Sequence, residues 1–198
     1  MPPMSEETAV YALIDAELLR RYALSPEEVG RYLEREKIPI AQYRDKNASD
    51  DEVAETLEAL RRSYPGTLIV NDRIDLVPLA DGLHLGQEDL AAVAADPAEA
   101  VRRVREHTGG KILGLSTHTL SEIETANTLD LDYIGLGAYR PTATKSDARV
   151  QGEALLSIAR HSRHPVAIIG GVRWEDRFAP PIRYKVLGST LIERIIAS

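Results

Sequence analysis

Eight short apolar runs recur along this chain, and longer segments with helical spacing separate most of them. The runs are Val10 to Ile14, Ile38 to Tyr43, Thr67 to Val70, Gly82 to Leu85, Lys111 to Leu115, Tyr133 to Leu136, Val166 to Ile169 and Tyr184 to Leu187. Continuous apolar runs of this length suit strands buried on both faces, as parallel strands are. Between them, Pro26 to Glu36, Ser49 to Ser63, Pro97 to His107, Ser121 to Thr128 and Gly152 to His161 carry helical patterns. Ser25-Pro26 and Asp96-Pro97 mark helix starts, with a capping side chain followed by a proline in the first turn. Eight strands alternating with helices predict an α/β chain of the (β/α)8 TIM barrel type, with a doubly wound sheet as the alternative. The barrel would be compact. Arg173 to Pro181, which includes Ala179-Pro180-Pro181, leaves room only for a shortened seventh helix, and Leu191 to Ser198 for an equally short eighth.

The chain has 198 residues, 43% of them hydrophobic, enough for one substantial core. No repeat, low-complexity tract or linker divides it, so a single domain over residues 1–198 is expected. A net charge of −7 argues against a general nucleic-acid surface, and no apolar segment is long enough to span a bilayer. An acidic chain that binds an anion must gather its cations locally. Zero cysteines exclude disulfides and thiolate metal sites. The N-terminus Met1-Pro2-Pro3-Met4-Ser5-Glu6-Glu7 lacks the basic start and apolar run of a signal peptide, which makes the cytoplasm the default location.

The strand ends carry the chemistry. Gln42, Arg44 and Lys46 are two apart, so an extended chain turns all three to one face, the mouth if the strand ends here. A planar donor fork and a compact ammonium both suit pyrophosphate; a solvated strand end with Asp45 as counter-charge explains the same spacing. Asn71-Asp72 follows the third run, and His84-Leu85-Gly86-Gln87-Glu88-Asp89 spans the end of the fourth. Asp72 and Asp89 are candidate ligands for Mg²⁺, which takes oxygen donors and completes its shell with water and substrate phosphate. Asn71 could donate to a phosphate oxygen. An Asx turn at Asn71-Asp72 and a helix N-terminal charge at Asp89 are the structural alternatives.

Ser116-Thr117-His118-Thr119 ends the fifth run. Ser116 could contact phosphate and His118 could move a proton near neutral pH, but capping of the next helix by Thr119 or Ser121 is the favoured reading for His118. His84 is read as a packing or loop-fixing residue. Pro141-Thr142-Ala143-Thr144-Lys145 sets two hydroxyls and an ammonium on one loop after Gly135-Leu136-Gly137, a set suited to an oxyanion. Gly170-Gly171 and Gly188-Ser189 end the last two runs, where glycine lets a ligand approach the backbone and a helix start would aim N–H groups at a monophosphate.

In this order the motifs resemble thiamine phosphate synthase, over a span from about Tyr11 to Ser189. The family's Q-x-R-x-K pattern matches Gln42, Arg44 and Lys46, and its ND pair matches Asn71-Asp72. Its H-x-G-Q-E-D matches His84 through Asp89, its S-x-H-T Ser116 through Thr119, its P-T-x-T-K Pro141 through Lys145, and a later Val-Gln-Gly Val150-Gln151-Gly152. The resemblance implies a transferase that uses Mg²⁺ to join hydroxymethylpyrimidine diphosphate to thiazole monophosphate, giving thiamine phosphate and pyrophosphate. It implies Asp72 and Asp89 as metal ligands, and Arg44, Lys46, Asn71, Ser116 and Lys145 around the diphosphate, with Arg44, Lys46 and Lys145 stabilising the leaving group. Gln42 would line the pyrimidine side, and Thr142, Thr144, Gly171, Gly188 and Ser189 would receive the thiazole phosphate. The implied partners are these small molecules, with no nucleic acid and no membrane; a homo-oligomer is compatible with the reading. Two departures bear on the thiazole side: Arg173-Trp174-Glu175-Asp176-Arg177-Phe178 and two prolines replace a longer seventh helix, and the eighth strand lacks the commoner glycine-alanine-aspartate lead-in. The related thiazole tautomerase, through His118, and a non-catalytic barrel that binds phosphate ligands are the alternatives.

Overall fold

The computed structural model describes residues 8–140 and 152–198. Its strands are β1 (Ala9–Asp15), β2 (Ile40–Arg44), β3 (Thr67–Asn71), β4 (Gly82–Leu85), β5 (Ile112–Thr117), β6 (Tyr133–Leu136), β7 (Val166–Ile168) and β8 (Ile182–Leu187). Each pairs in parallel with the next, and β8 returns to β1, so the sheet closes into a barrel. Closure excludes the doubly wound sheet, which would leave two open edges. The helices are α1 (Ala16–Tyr22), α2 (Pro26–Arg35), α3 (Asp50–Ser63), α4 (Gln87–Val93), α5 (Pro97–Thr108), α6 (Leu120–Ala126), α7 (Glu153–Ala159) and α8 (Ser189–Ile196), with a 3-10 turn at Ile74–Leu79. Among the described residues no helix is long and apolar enough to cross a membrane.

Strand periodicity divides the apolar residues into two cores. Ala12, Ile14, Ala41, Tyr43, Leu68, Val70, Leu83, Leu85, Ile134 and Leu136 face outward against the helices. Their neighbours Tyr11, Ile40, Ile69, Tyr133, Ala167, Tyr184 and Val186 fill the barrel interior. Tyr11 sits edge-on to Tyr133 and Tyr184, with ring centroids 5.9 Å and 6.1 Å away. Gly114 makes this filling possible: a Cβ there would lie 2.2 Å from Tyr133 Cζ.

Local chemistry sets the helix ends. Ser25 with Glu28 and Ser49 with Glu52 form reciprocal capping boxes at α2 and α3, and Asp96 caps α5 ahead of Pro97. Helices α1 and α4, seven residues each, are additions to the sequence reading.

The seventh connection goes beyond the expected shortening: the described residues between β7 and β8 form no helix at all. Side chains brace the loop instead. Arg140 grips Asp176 through two bonds of 2.6 and 3.0 Å and donates to the Gly171 carbonyl at 3.0 Å. The buried Lys185 ammonium donates to the carbonyls of Trp174 and Asp176, so its charge stands where a helix would otherwise pack on β8. Thr8 Oγ1 donates to the Phe178 carbonyl at 3.1 Å and ties the loop to the chain just before β1. The eighth helix, α8, has eight residues and begins directly after Gly188.

Candidate active site

The interior tyrosines plug the lower barrel and leave a cavity of about 200 Å³ above them, at the C-terminal ends of the strands. Parallel strands all present their C-terminal ends to this mouth, and sites in such barrels are built there. Leu13, Gln42, Asn71, His84, Ser116, Ile169, Val186 and Gly188 line the cavity, with Asp15 and Arg44 at the ends of β1 and β2.

On one side, Arg44 Nη1 donates to Asp15 Oδ2 at 2.6 Å, while Asp15 Oδ1 accepts the Glu17 N–H at 3.0 Å and so caps α1. The strand register places Asp15 directly beside Arg44. Asp45, the local counter-charge of the alternative solvated-strand-end reading, binds elsewhere. Its carboxylate pairs with Arg20 at 2.7 Å and accepts the N–H groups of Asn47 and Ala48. Strand β2 stops at Arg44, so Lys46 lies two residues past its end; its side chain is exposed and does not line the cavity, while its charge acts on the Asp72 carboxyl.

Asp72 has a left-handed backbone, φ 62°, just beyond β3. Its N–H donates to the His84 carbonyl at 2.9 Å, which ties the turn to β4. Asp89 lies in the first turn of α4 and accepts the Gly86 N–H at 3.2 Å. Burial pushes the Asp72 carboxyl above the usual carboxylate range, and the adjacent Asp89 charge and a hydrogen bond to Asp89 raise it further; Lys46 and Asn71 act in the opposite direction. The structural readings of Asn71-Asp72 as a turn and Asp89 as a first-turn charge are therefore both present, and the two carboxyls also meet. Like charges brought together in a half-buried site are the environment a cation relieves.

On β5, the strand next to β4, Ser116 Oγ is 2.9 Å from His84 Nε2, and the Ser116 carbonyl accepts from Gln87 Nε2 at 2.6 Å. His84 Nδ1 is 2.9 Å from Tyr133 Oη, and the two rings stack at 5.5 Å. Thus His84 fixes more than packing: it connects the interior tyrosines to a residue of the mouth. His118 borders the cavity, but its Nδ1 is 3.4 Å from Glu122, and Thr119 caps α6 by accepting the Glu122 N–H at 3.2 Å. The capping role expected for Thr119 is present.

Gly170, Gly171, Gly188, Ser189 and Thr190 form the far wall. Gly171 has φ 59°, open to glycine without strain, and the start of α8 turns backbone N–H groups toward this side. Three expected site residues, Thr142, Thr144 and Lys145, lie outside the described residues, as does Gln151. The structure thus brings together Gln42, Arg44, Asn71, Ser116, Gly171, Gly188 and Ser189 in one cavity wall, and places Asp72 and Asp89 against each other. Asp15, Tyr11 and Tyr133 were not singled out by sequence reasoning. Asp15 had one signal, a carboxylate directly ending the apolar run Val10 to Ile14.

Comparison with known proteins agrees with this construction. A family model described as thiamine monophosphate synthase matches residues 10–180. A thiamine-phosphate synthase of Persephonella marina is 41% identical over 139 residues, covering 67% of this chain and 63% of its own length, just under two thirds. One from Geobacillus thermodenitrificans is 35% identical over 183 residues, covering 85% of this chain and 76% of its own length. Among solved structures, a thiamine phosphate pyrophosphorylase from Pyrococcus furiosus superposes with a TM-score of 0.71 at 28% identity, covering 95% of each chain. With the matched residues running from β1 through the end of the seventh connection, the chain belongs to the thiamine monophosphate synthase family.

Proposed function

We propose that this chain, as a single barrel domain in the cytoplasm, joins hydroxymethylpyrimidine diphosphate to thiazole monophosphate and releases pyrophosphate. The observation that carries the proposal is the convergence of Arg44, Asn71 and Ser116 on one cavity beside the paired carboxyls Asp72 and Asp89. In an acidic chain, that local set suits an anionic substrate held with a divalent cation.

The Asp72–Asp89 pair fits Mg²⁺, because a raised carboxyl beside a second one gains from a cation that neutralises both. Bound there, the ion would neutralise charge on the diphosphate oxygens. Arg44 is already oriented by Asp15 and keeps further N–H groups for a diphosphate oxygen. Lys46, Asn71, Ser116 and, by resemblance, Lys145 complete the leaving-group side. Gln42 borders the pyrimidine side, while Gly171, Gly188 and Ser189, with Thr142 and Thr144, would receive the thiazole phosphate.

The carbon–oxygen bond to the diphosphate breaks as the thiazole nitrogen attacks the pyrimidine methylene. Charge accumulates on the departing pyrophosphate and on that carbon, so fixed donors and alignment supply the acceleration, and no protein nucleophile is needed. The purified chain should release pyrophosphate only when both precursors and Mg²⁺ are present. Release without the thiazole phosphate or without the metal, or none with the complete mixture, defeats the proposal.

A further inference from the structure

A line of hydrogen-bonding side chains runs through the barrel interior and ends in the cavity. Gln42 Nε2 donates to Tyr11 Oη at 3.1 Å, and Tyr11 Oη is 2.8 Å from Tyr133 Oη. Tyr133 Oη is 2.9 Å from His84 Nδ1, and His84 Nε2 is 2.9 Å from Ser116 Oγ. The five residues come from β2, β1, β6, β4 and β5, so the line crosses the barrel, and its links Tyr11–Tyr133 and Tyr133–His84 join strands that do not pair. Its two ends, Gln42 and Ser116, both line the cavity.

The donor at one end orders the rest. An amide N–H can only donate, so Tyr11 Oη accepts from Gln42, which also reaches Tyr133; each phenol proton then has an acceptor when Tyr11 donates to Tyr133. In that order Tyr133 donates to His84 Nδ1, with Nδ1 as the unprotonated ring nitrogen. The imidazole proton is left on Nε2 and points at Ser116 Oγ, which accepts it. Because that lone pair is used, the Ser116 hydroxyl proton is available to the cavity. Burial holds both phenols well above their ordinary pKa, so Tyr11 and Tyr133 keep the protons this order requires. Protonating His84 on both nitrogens would set its Nδ1–H against the Tyr133 proton. Gly135 leaves room for the ring: a Cβ there would be 3.1 Å from His84 Cε1.

We infer that Gln42, through Tyr11, Tyr133 and His84, fixes the polarity of Ser116, so that the serine presents a hydrogen-bond donor to an anionic oxygen. His84, Tyr133 and Tyr11 are positioning residues, since they act through Ser116. This inference rests on the proposed function only in naming a diphosphate as the anion. It explains why a histidine is buried beside a serine that needs no general base. It also gives Gln42 a task in addition to lining the pyrimidine side.

Two readouts test it, one of which needs no ligand. Nitrogen NMR of the His84 imidazole in the full chain should report the Nε2–H tautomer in the wild type. Tyr133→Phe, which keeps the ring and removes only the hydroxyl, should shift His84 toward the other tautomer or a mixture. Gln42→Glu, whose carboxylate can only accept, should reverse the line and give the Nδ1–H form. Binding of inorganic pyrophosphate should weaken roughly ten- to hundredfold in Tyr133→Phe, as expected for losing an oriented donor to a charged group. Ser116→Ala should weaken it similarly while leaving the His84 tautomer unchanged. An Nδ1–H tautomer in the wild type, or an unchanged tautomer in both Tyr133→Phe and Gln42→Glu, overturns the inference. The expected tautomers with no pyrophosphate binding by the wild type would instead count against the proposed function and leave the polarity assignment standing.

Discussion

Asp15 holds Arg44 from the neighbouring strand, with Oδ2 accepting a 2.6 Å bond from Nη1 while Oδ1 caps helix α1. One carboxylate thereby fixes a helix start and a cation of the mouth. An exposed pair of this kind would contribute little, but this one is mostly buried, with side-chain exposures of 23% for Arg44 and 9% for Asp15.

Asp15→Asn separates these two roles. Asparagine can still cap α1, so the fold should survive with little loss. Without the charge, Arg44 should lose its fixed orientation, and kcat/KM for the diphosphate substrate should fall on the order of tenfold or more. Steady-state kinetics with each precursor varied in turn checks this. Unchanged kinetics would show that Arg44 is oriented without Asp15.

Paired carboxyls give a second expectation. Burial and Asp89 raise the Asp72 carboxyl, so the folded chain holds its proton more tightly than the unfolded chain does. The sign follows: this site costs nothing below the ordinary carboxylate pKa and costs stability as pH rises through the raised folded value. At neutral pH without metal, Asp72→Asn should therefore melt at the same or a higher temperature than the wild type. Mg²⁺ should raise the melting temperature of the wild type and not that of Asp72→Asn or Asp89→Asn. Equal stabilisation of all three proteins by Mg²⁺ would remove these residues as ligands.

The barrel was readable because each strand is a short continuous apolar run buried from both sides, a pattern that Thr67–Asn71 and Gly82–Leu85 show plainly. Cavity-lining residues near the ends of those runs, such as Asn71 and Ser116, were readable for the same reason. Alternation is no guide to Lys46, because strand β2 ends at Arg44 and Asp45 binds the N–H groups of its own loop. Spacing predicts facing only while the chain stays extended. The interior line from Gln42 to Ser116 was hidden for a different reason. Its members are far apart in sequence, and tyrosine in an apolar run reads as packing until the third dimension brings two hydroxyls to 2.8 Å.

Gly114 supplies a stability test of the lower barrel. A methyl group at this position would lie 2.2 Å from Tyr133 Cζ, and the ring cannot retreat without displacing Tyr11. Gly114→Ala should cost about 1–3 kcal/mol through overpacking, and more if the backbone cannot shift. Denaturant unfolding should show a lower midpoint with an unchanged slope. A midpoint equal to the wild type would mean that the interior rings repack freely.

The loop that replaces a seventh helix depends on Arg140 and Asp176, and this pair makes stability sensitive to acid. The hydrogen bonds from Arg140 hold the Asp176 carboxyl below its ordinary range, and the bond from the Arg173 N–H adds to this. A depressed carboxyl contributes stability that is present above the unfolded pKa, about 3.9 for aspartate, and is lost as pH falls through the lower folded value. Asp176→Asn should therefore destabilise the chain at neutral pH and flatten the acid limb of its stability curve. The same substitution should reach the site, because Arg140 also donates to the Gly171 carbonyl. With that brace loosened, KM for the thiazole phosphate should rise several-fold while KM for the pyrimidine diphosphate stays near the wild-type value. Equal increases in both would place the effect on the whole barrel mouth, and no increase in either would separate the Arg140 brace from the phosphate wall.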